Sequence, residues 1–358
     1  MLNNFCKSQN TQGIIRVLLE YALLSTSLEP QDPKIVHVAV GVIMQSDQVL
    51  ICWRDAKLHQ GNRYEFPGGK VEAGETPRQA LARELLEELN IQVKTVVRAQ
   101  QLYFNYPEKT VCLHIFKVTA FSGAPCGQQN QAIRWVNKYE LGQYQFPDAN
   151  APILRMVLLP DEYVITKPQS NTQDLDKWLN WHIHHTPQQA WLYVRHKQLD
   201  TSQYQQVITT LARQRPDLQL FAMYSHIKAL KSCWPECKIF LAGVHFSQAE
   251  LMQLSVHTEP TELPSSWYRV AACHDQASIT QANALGLDAV LLSPLHTTST
   301  HAGQAGLGWK EWQQLCKNSM LPVYALGGVA PNDLAQVQQA DGFGVAGIRA
   351  FYSSVCNS

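Results

Sequence analysis

The chain lacks a net charge. Its 29 Lys and Arg residues balance 29 Asp and Glu over 358 positions. A surface that follows a nucleic-acid polymer needs a basic excess, so that partner class is excluded. A small phosphorylated ligand needs only a few local charges and stays open. The chain also lacks a run of about 18 apolar residues, so no membrane-spanning helix is expected. It lacks a cysteine framework too. The nine cysteines are scattered at 6, 52, 112, 126, 233, 237, 273, 316 and 356. Only Cys233 and Cys237 are close, and one Cys-x-x-x-Cys without a second pair is a weak zinc signal beside free thiols in a reducing cytoplasm. The opening stretch MLNNFCKSQNTQGIIRVLLEYALLS has one basic residue before its apolar part and is broken by Arg16 and Glu20. It reads as a short amphipathic helix rather than a signal peptide, and the expected location is the cytoplasm.

What is present suffices for two domains. Hydrophobic residues make up 45% of the chain, enough for two cores. Residues 1–34 read as an N-terminal extension ending in the Pro-punctuated SLEPQDPK. Residues 35–160 form a first, α+β domain. Apolar runs at 35–44, 48–53, 93–104 and 110–119 predict strands, and helices are predicted over 77–89 and 150–159. From 161 to 358 the rhythm changes. YVIT, WLYV, LQLFAM, KIFLAGV, YRVAAC, DAVLLS, LPVYAL and GFGVAG alternate with helical or loop segments. Eight strands in that pattern predict an α/β domain, a compact (β/α)8 barrel with short helices.

Charged residues are only 16% of the chain, yet FPGGKVEAGETPRQALARELLEELNI, residues 66–91, holds five glutamates. Thr76 before Pro77 is a helix start: a hydroxyl N-cap, then proline at the first helical position. Asn90 is a stop, because asparagine tolerates the left-handed conformation. Ala80, Leu81, Leu85 and Leu89 make the apolar stripe. Glu84, Glu87 and Glu88 stand at i, i+3 and i+4 and share a face. One reading is a solvated Glu/Arg surface. The other is a cation site: crowded carboxylates repel, and hard oxygen ligands suit Mg²⁺ or Mn²⁺. Arg83 is placed to steady one carboxylate, and the glycine loop lets backbone approach a ligand.

The spacing Gly69, five residues, Glu75, seven residues, then Arg83-Glu84-Leu85-Leu86-Glu87-Glu88-Leu89-Asn90-Ile91 resembles the Nudix box. The last glycine of that pattern is Asn90 here, a departure at a turn. The resemblance implies an α/β/α sandwich with a mixed sheet. It implies hydrolysis of a nucleoside diphosphate linked to another group. Glu84, Glu87, Glu88 and the Gly68 carbonyl would hold the cation, and Glu84 would be the general base. The flanks, with FPDANAPIL, are similar to the MutT branch, the 8-oxo-dGTP diphosphatases. That similarity implies purine reading by Asn150, a base pocket lined by Phe66 and a phosphate contact from Arg54. Asn150 also suits a helix N-cap. Where this branch often carries a further glutamate, the chain has Gln128 and Gln129.

The second domain resembles the thiamine-phosphate synthase and thiazole tautomerase family over 162 to about 352. VRHK (Arg195, Lys197), GVHFSQAEL (His245, Glu250), ACHD (His274), TST (Thr298, Ser299, Thr300) and ALGGV (Gly327, Gly328) carry the resemblance. It implies phosphate binding at the ends of the last strands and a thiamine-related phosphate ligand. The family's Asn-Asp pair after the third strand has no carboxylate counterpart in FAMYSHIKAL. Its other metal aspartate is matched by Glu250, and its lysine after TST by His301. The tract His182, His184, His185 resembles a metal motif but reads as the covering of a helix surface. Three functions follow. One is 8-oxo-dGTP hydrolysis with an appended barrel. Another is hydrolysis of thiamine-related diphosphates. The third is a barrel that senses a ligand without turning it over.

Overall fold

The computed structural model describes residues 35–57, 60–106, 109–128, 131–170, 174–229, 241–255, 263–297 and 305–352. The N-terminal extension, Cys233, Cys237, Gln129, Thr298, Ser299, Thr300 and His301 lie outside the described residues. The chain divides into two compact units, Met1–Leu159 and Pro160–Ser358. No helix among the described residues is long and apolar enough to cross a membrane.

The first unit is built on one mixed sheet. Its strands are β1 (Ile35–Gln45), β2 (Gln48–Arg54), β3 (Arg63–Glu65), β4 (Gly68–Lys70), β5 (Gln92–Tyr106), β6 (Lys109–Ser122) and β7 (Ile133–Asn137). The order is β3-β2-β1-β6-β5, with β4 also on β1 and β7 on β2. The β1–β6 pair is parallel and the other pairs are antiparallel. Side chains alternate across a strand, so β1 feeds two faces. Ala39 and Ile43 join a core with Ala80, Leu81, Leu85 and Leu89 of helix α1 (Pro77–Leu89). Val40 and Val42 alternate with them and are buried too, so both faces of β1 are covered over residues 39–43.

Helix α1 starts and stops where its end residues dictate. Thr76 accepts from the Gln79 N–H, and the Gln79 side chain accepts from the Thr76 N–H, a complete capping box. Asn90 ends the helix in the left-handed region at φ 55° and ψ 36°. Helix α2 (Ala151–Val157) buries Ile153, Met156 and Val157.

The second unit is a closed barrel of eight parallel strands. They are β8 (Glu162–Ile165), β9 (Trp191–Val194), β10 (Gln219–Met223), β11 (Leu241–Phe246), β12 (Tyr268–Cys273), β13 (Ala289–Leu292), β14 (Val323–Leu326) and β15 (Gly344–Gly347). β8 pairs with both β9 and β15, which closes the ring. Among the described residues the helices between them are short, from α9 (Leu334–Gln339, 6 residues) to α4 (Thr201–Gln214, 14 residues). They are α3 (Leu175–His185), α4, α5 (Tyr224–Ala229), α6 (Gln248–Gln253), α7 (Gln276–Ala284), α8 (Gly308–Asn318) and α9. Strand side chains divide by parity. Leu192, Val194, Val244, Val290 and Val345 pack outward among the helices. Tyr163, Phe221, Tyr324 and Trp191 meet in ring contacts inside the barrel, with His245 among them. The lumen is therefore a packed aromatic core and not a pore.

Candidate active site

The glutamates of α1 are seated by backbone. Gly68 and Gly69 lie in β4, opposite Val40 and Ala39 of β1. A Cβ at Gly69 would run into the Glu84 carboxylate, so the missing side chain is the seat for that group. The Gly68 N–H donates to Glu88 Oε2 at 3.1 Å. Gly68 itself sits at φ 141°, where a Cβ would strike the Ala39 carbonyl oxygen. Arg83 ties the loop to the helix. Its Nη2 donates to Glu75 Oε1 at 2.7 Å and to the Lys70 carbonyl at 3.0 Å. Its Nη1 donates to Glu84 Oε1 at 2.9 Å and lies 3.7 Å from Glu87. One planar cation thus serves three carboxylates.

Burial pushes the Glu88 carboxyl up to about 7. The nearby charges of Glu84, Glu65 and Glu87 push the same way, and the Gly68 N–H opposes them. Glu65 is the member that the sequence reading missed. It is opposite Cys52 in the β2–β3 ladder, and burial raises it as well, against the pull of Arg54. Burial, then Glu88 and Glu65, pushes the Cys52 thiol far up. The only sequence signal for Glu65 was its place in the short strand ahead of the glycine loop. This donor set is all hard oxygen, and its mutual repulsion is what a divalent cation relieves. Glu88, Glu84 and the Gly68–Gly69 backbone fit such an ion.

The other residues named from sequence fall into two groups. Arg54 is ion-paired with Glu65 at 2.5 Å. Phe66 is buried and stacks on Phe146, with ring centroids 5.4 Å apart. Phe146 leads into the turn that carries Asn150, and Arg63 and Gln60 pin that turn through Phe146 and Asp148. Asn150 has helical backbone angles, φ −87° and ψ −12°, and its side chain makes no capping bond. The N-cap reading of Asn150 is thereby corrected, because a cap needs extended backbone to turn its side chain back onto the helix. Gln128 donates through its backbone N–H to the Glu88 carbonyl, while its side chain bonds the Cys126 carbonyl.

In the barrel, Arg195 and Lys197 follow β9, His274 follows β12, and Gly327 and Gly328 follow β14. All lie at the C-terminal ends of parallel strands, on one rim. Gly327 and Gly328 have φ of 102° and 73°, and a Cβ on either would meet Pro294 or His296. His274 Nδ1 lies 2.7 Å from the Ser293 carbonyl oxygen. Residues 39–156 match the family described as NUDIX domain, and residues 162–351 match thiamine monophosphate synthase. The chain belongs to both families.

The Nudix unit is 36% identical over 122 residues to the 8-oxo-dGTP diphosphatase of Escherichia coli (strain K12). The match spans 34% of this chain and 95% of that protein. It is 38% identical over 128 residues to the 8-oxo-dGTP diphosphatase of Haemophilus influenzae, spanning 36% of this chain and 94% of that protein. The CTP pyrophosphohydrolase of Escherichia coli is 33% identical over 121 residues, with 34% of this chain and 90% of that protein covered.

The second unit spends two of its named side chains on structure. Glu250 caps α6, accepting from the Ser247 N–H and hydroxyl at 2.7 Å each. His245 is buried in the lumen, stacked on Tyr193 with centroids 4.0 Å apart, and burial pushes it down to about 3. His182 does not cover a surface. It is fully buried, with Nε2 accepting from the Lys167 N–H and Nδ1 2.8 Å from the Trp178 carbonyl oxygen. An apolar stripe on α3 that includes Trp178 and Leu179 carries it inward.

Proposed function

We propose that the Nudix unit hydrolyses 8-oxo-dGTP to 8-oxo-dGMP and diphosphate, a nucleotide-pool sanitation step that protects DNA. The seating of Glu84 and Glu88 on Gly69 and Gly68, with Arg83 bridging to Glu75, carries this reading. Glu84, Glu87, Glu88 and the Gly68 carbonyl would hold Mg²⁺, with Mn²⁺ as a substitute. The ion would neutralise phosphate charge and lower the cost of forming a hydroxide. Arg83 keeps Glu84 oriented, and Glu84 takes the proton of the attacking water. Arg54, now held by Glu65, is the cation assigned to a substrate phosphate. Phe66 forms the wall of the base pocket. The Asn150 amide, which its helix does not use, offers one donor and one acceptor to the purine edge. The relatives named 8-oxo-dGTP diphosphatase support this substrate. The five described cysteines form no disulfide, which fits a reducing, cytoplasmic setting.

We also assign to the rim of the second unit a thiamine-related phosphate ligand. Arg195, Lys197, Gly327, Gly328 and His274 are the residues that would meet it. The union of the two families in one chain favours a second reading, in which the Nudix unit acts on thiamine-related diphosphates.

One experiment separates these readings. Steady-state hydrolysis with Mg²⁺ is compared for 8-oxo-dGTP, dGTP, CTP, thiamine diphosphate and hydroxymethylpyrimidine diphosphate. The 8-oxo-dGTP reading expects that nucleotide to be preferred. Glu87→Gln should then lower kcat by about 10²–10⁴. Asn150→Ala should lower the preference for 8-oxo-dGTP by roughly tenfold or more. Best turnover of the thiamine-type diphosphates, with no effect of Asn150→Ala, would replace it with the second reading.

A further inference from the structure

The Nudix sheet holds a second set of ligating side chains that shares no residue with the glutamates. The parallel β1–β6 register places His37 opposite Cys112 and Ala39 opposite His114. Positions two apart on a strand share a face, so His37, Cys112 and His114 point the same way. His37 Nδ1 and His114 Nε2 are 2.9 Å apart, and Cys112 Sγ is 3.6 Å from His114 Nε2. All three ligand atoms lie within 4.8 Å of one another.

We propose that His37, Cys112 and His114 bind a zinc ion with a fourth position open to solvent. Tetrahedral zinc, with bonds of about 2.0–2.1 Å to nitrogen and about 2.3 Å to sulfur, separates its ligand atoms by about 3.3–3.6 Å. The Cys112–His114 distance already fits. The two imidazoles must part by about half an ångström, and Cys112 Sγ and the His37 ring nitrogen, within 4.8 Å of each other, must settle at about 3.5 Å. His37 is exposed, His114 is half-buried and Cys112 is buried, so the open position lies on the solvent side.

The surroundings supply supporting chemistry. Gln101 Nε2 donates to Cys112 Sγ at 3.4 Å and to the Tyr103 hydroxyl at 2.9 Å, orienting the sulfur from the neighbouring strand β5. Burial, with the nearby His37 and Arg98, pushes His114 down to about 4, which leaves a neutral imidazole lone pair near neutral pH. Burial raises the Cys112 thiol, while Tyr103, Gln101 and Arg98 favour its thiolate. Binding therefore breaks the S–H bond, forms a Zn–S bond and releases one proton to solvent. Arg98 opposes a cation at this point, and the thiolate offsets it. One thiolate and two imidazoles select a borderline-soft ion, whereas the all-oxygen glutamates select Mg²⁺ or Mn²⁺. The unit would thus have two ion sites of opposite preference, one on helix α1 and one on the β1–β6 pair.

The test titrates the metal-free, full-length protein with Co²⁺ as a spectroscopic stand-in, in excess Mg²⁺ to occupy the carboxylates. A thiolate-to-cobalt charge-transfer band with tetrahedral d–d bands is expected to saturate at one equivalent and to bleach on adding Zn²⁺. The charge-transfer band should vanish in Cys112→Ser, and His37→Gln should weaken binding at least tenfold. His37 is exposed, so its variant keeps the fold, which circular dichroism checks. It decides the matter alone if Cys112→Ser does not fold. No charge-transfer band, or the same band at the same affinity in these variants, sinks the proposal by placing any bound ion on other thiols.

Discussion

At Gly69 a missing carbon positions a carboxylate. Its backbone is not left-handed, so alanine meets no conformational penalty, but the new Cβ would displace Glu84. Gly69→Ala is expected to lower kcat by roughly 10–100-fold, the scale seen when a ligand's support is lost, with little change in melting temperature. Paired rate and calorimetry measurements check it. A large loss of stability with normal specific activity would mean that Gly69 serves packing instead. Arg83 is the complementary case, since its planar fork reaches Glu75, Glu84 and the Lys70 carbonyl together. Arg83→Lys keeps the charge but not the fork, and about 10–100-fold loss of kcat is expected with KM nearly unchanged. The i, i+3, i+4 spacing put Glu84, Glu87 and Glu88 on one face of α1 in the sequence, and the helix forms over those positions. Glu65 was not legible there, because strand pairing rather than chain proximity brings it to Glu88.

Helix α1 was legible at both ends, because capping is a property of a few adjacent residues. Thr76→Ala removes one half of the capping box and should cost about 1 kcal/mol of stability in denaturant titration. Asn90→Gly restores the residue that the Nudix pattern has at this turn. It should gain up to about 1 kcal/mol, since asparagine tolerates the left-handed conformation less freely than glycine, which has no Cβ. A loss on Asn90→Gly would show that the Asn90 side chain makes a compensating bond. The turn before α2 was less legible. Asp148–Asn150 forms its own short 3-10 turn there, which leaves the Asn150 amide out of the helix and free for another task.

At the scale of the whole molecule, the two units differ in what fills them. The barrel lumen carries His245, and α3 carries the buried His182, pushed down by burial to about 3 and about 4. Unfolding returns both to the ordinary histidine value of 6.5. The folded unit binds protons less readily than the unfolded chain, so this stability is complete above about pH 6.5 and is lost as pH falls toward 4 and then 3. Calorimetry should show the transition of the second unit falling over that window. His245→Phe, which keeps a ring in the aromatic lumen, should flatten the dependence. An unchanged slope would put the acid sensitivity elsewhere.

The amino-acid order by itself determined the local features: the caps and apolar stripe of α1, the Nudix spacing and the eight-strand rhythm of the barrel. These follow from covalent geometry, the 3.6-residue and 2-residue periods and the chemistry of neighbouring side chains. Only the tertiary structure decided the long-range ones. His37 and His114 stand 77 residues apart in the chain and meet because β1 and β6 pair in parallel. Arg54 is turned onto Glu65 by the β2–β3 ladder, and His245 enters the lumen by strand parity. Each of these depends on register between distant segments, which long-range packing sets and no short stretch of sequence encodes.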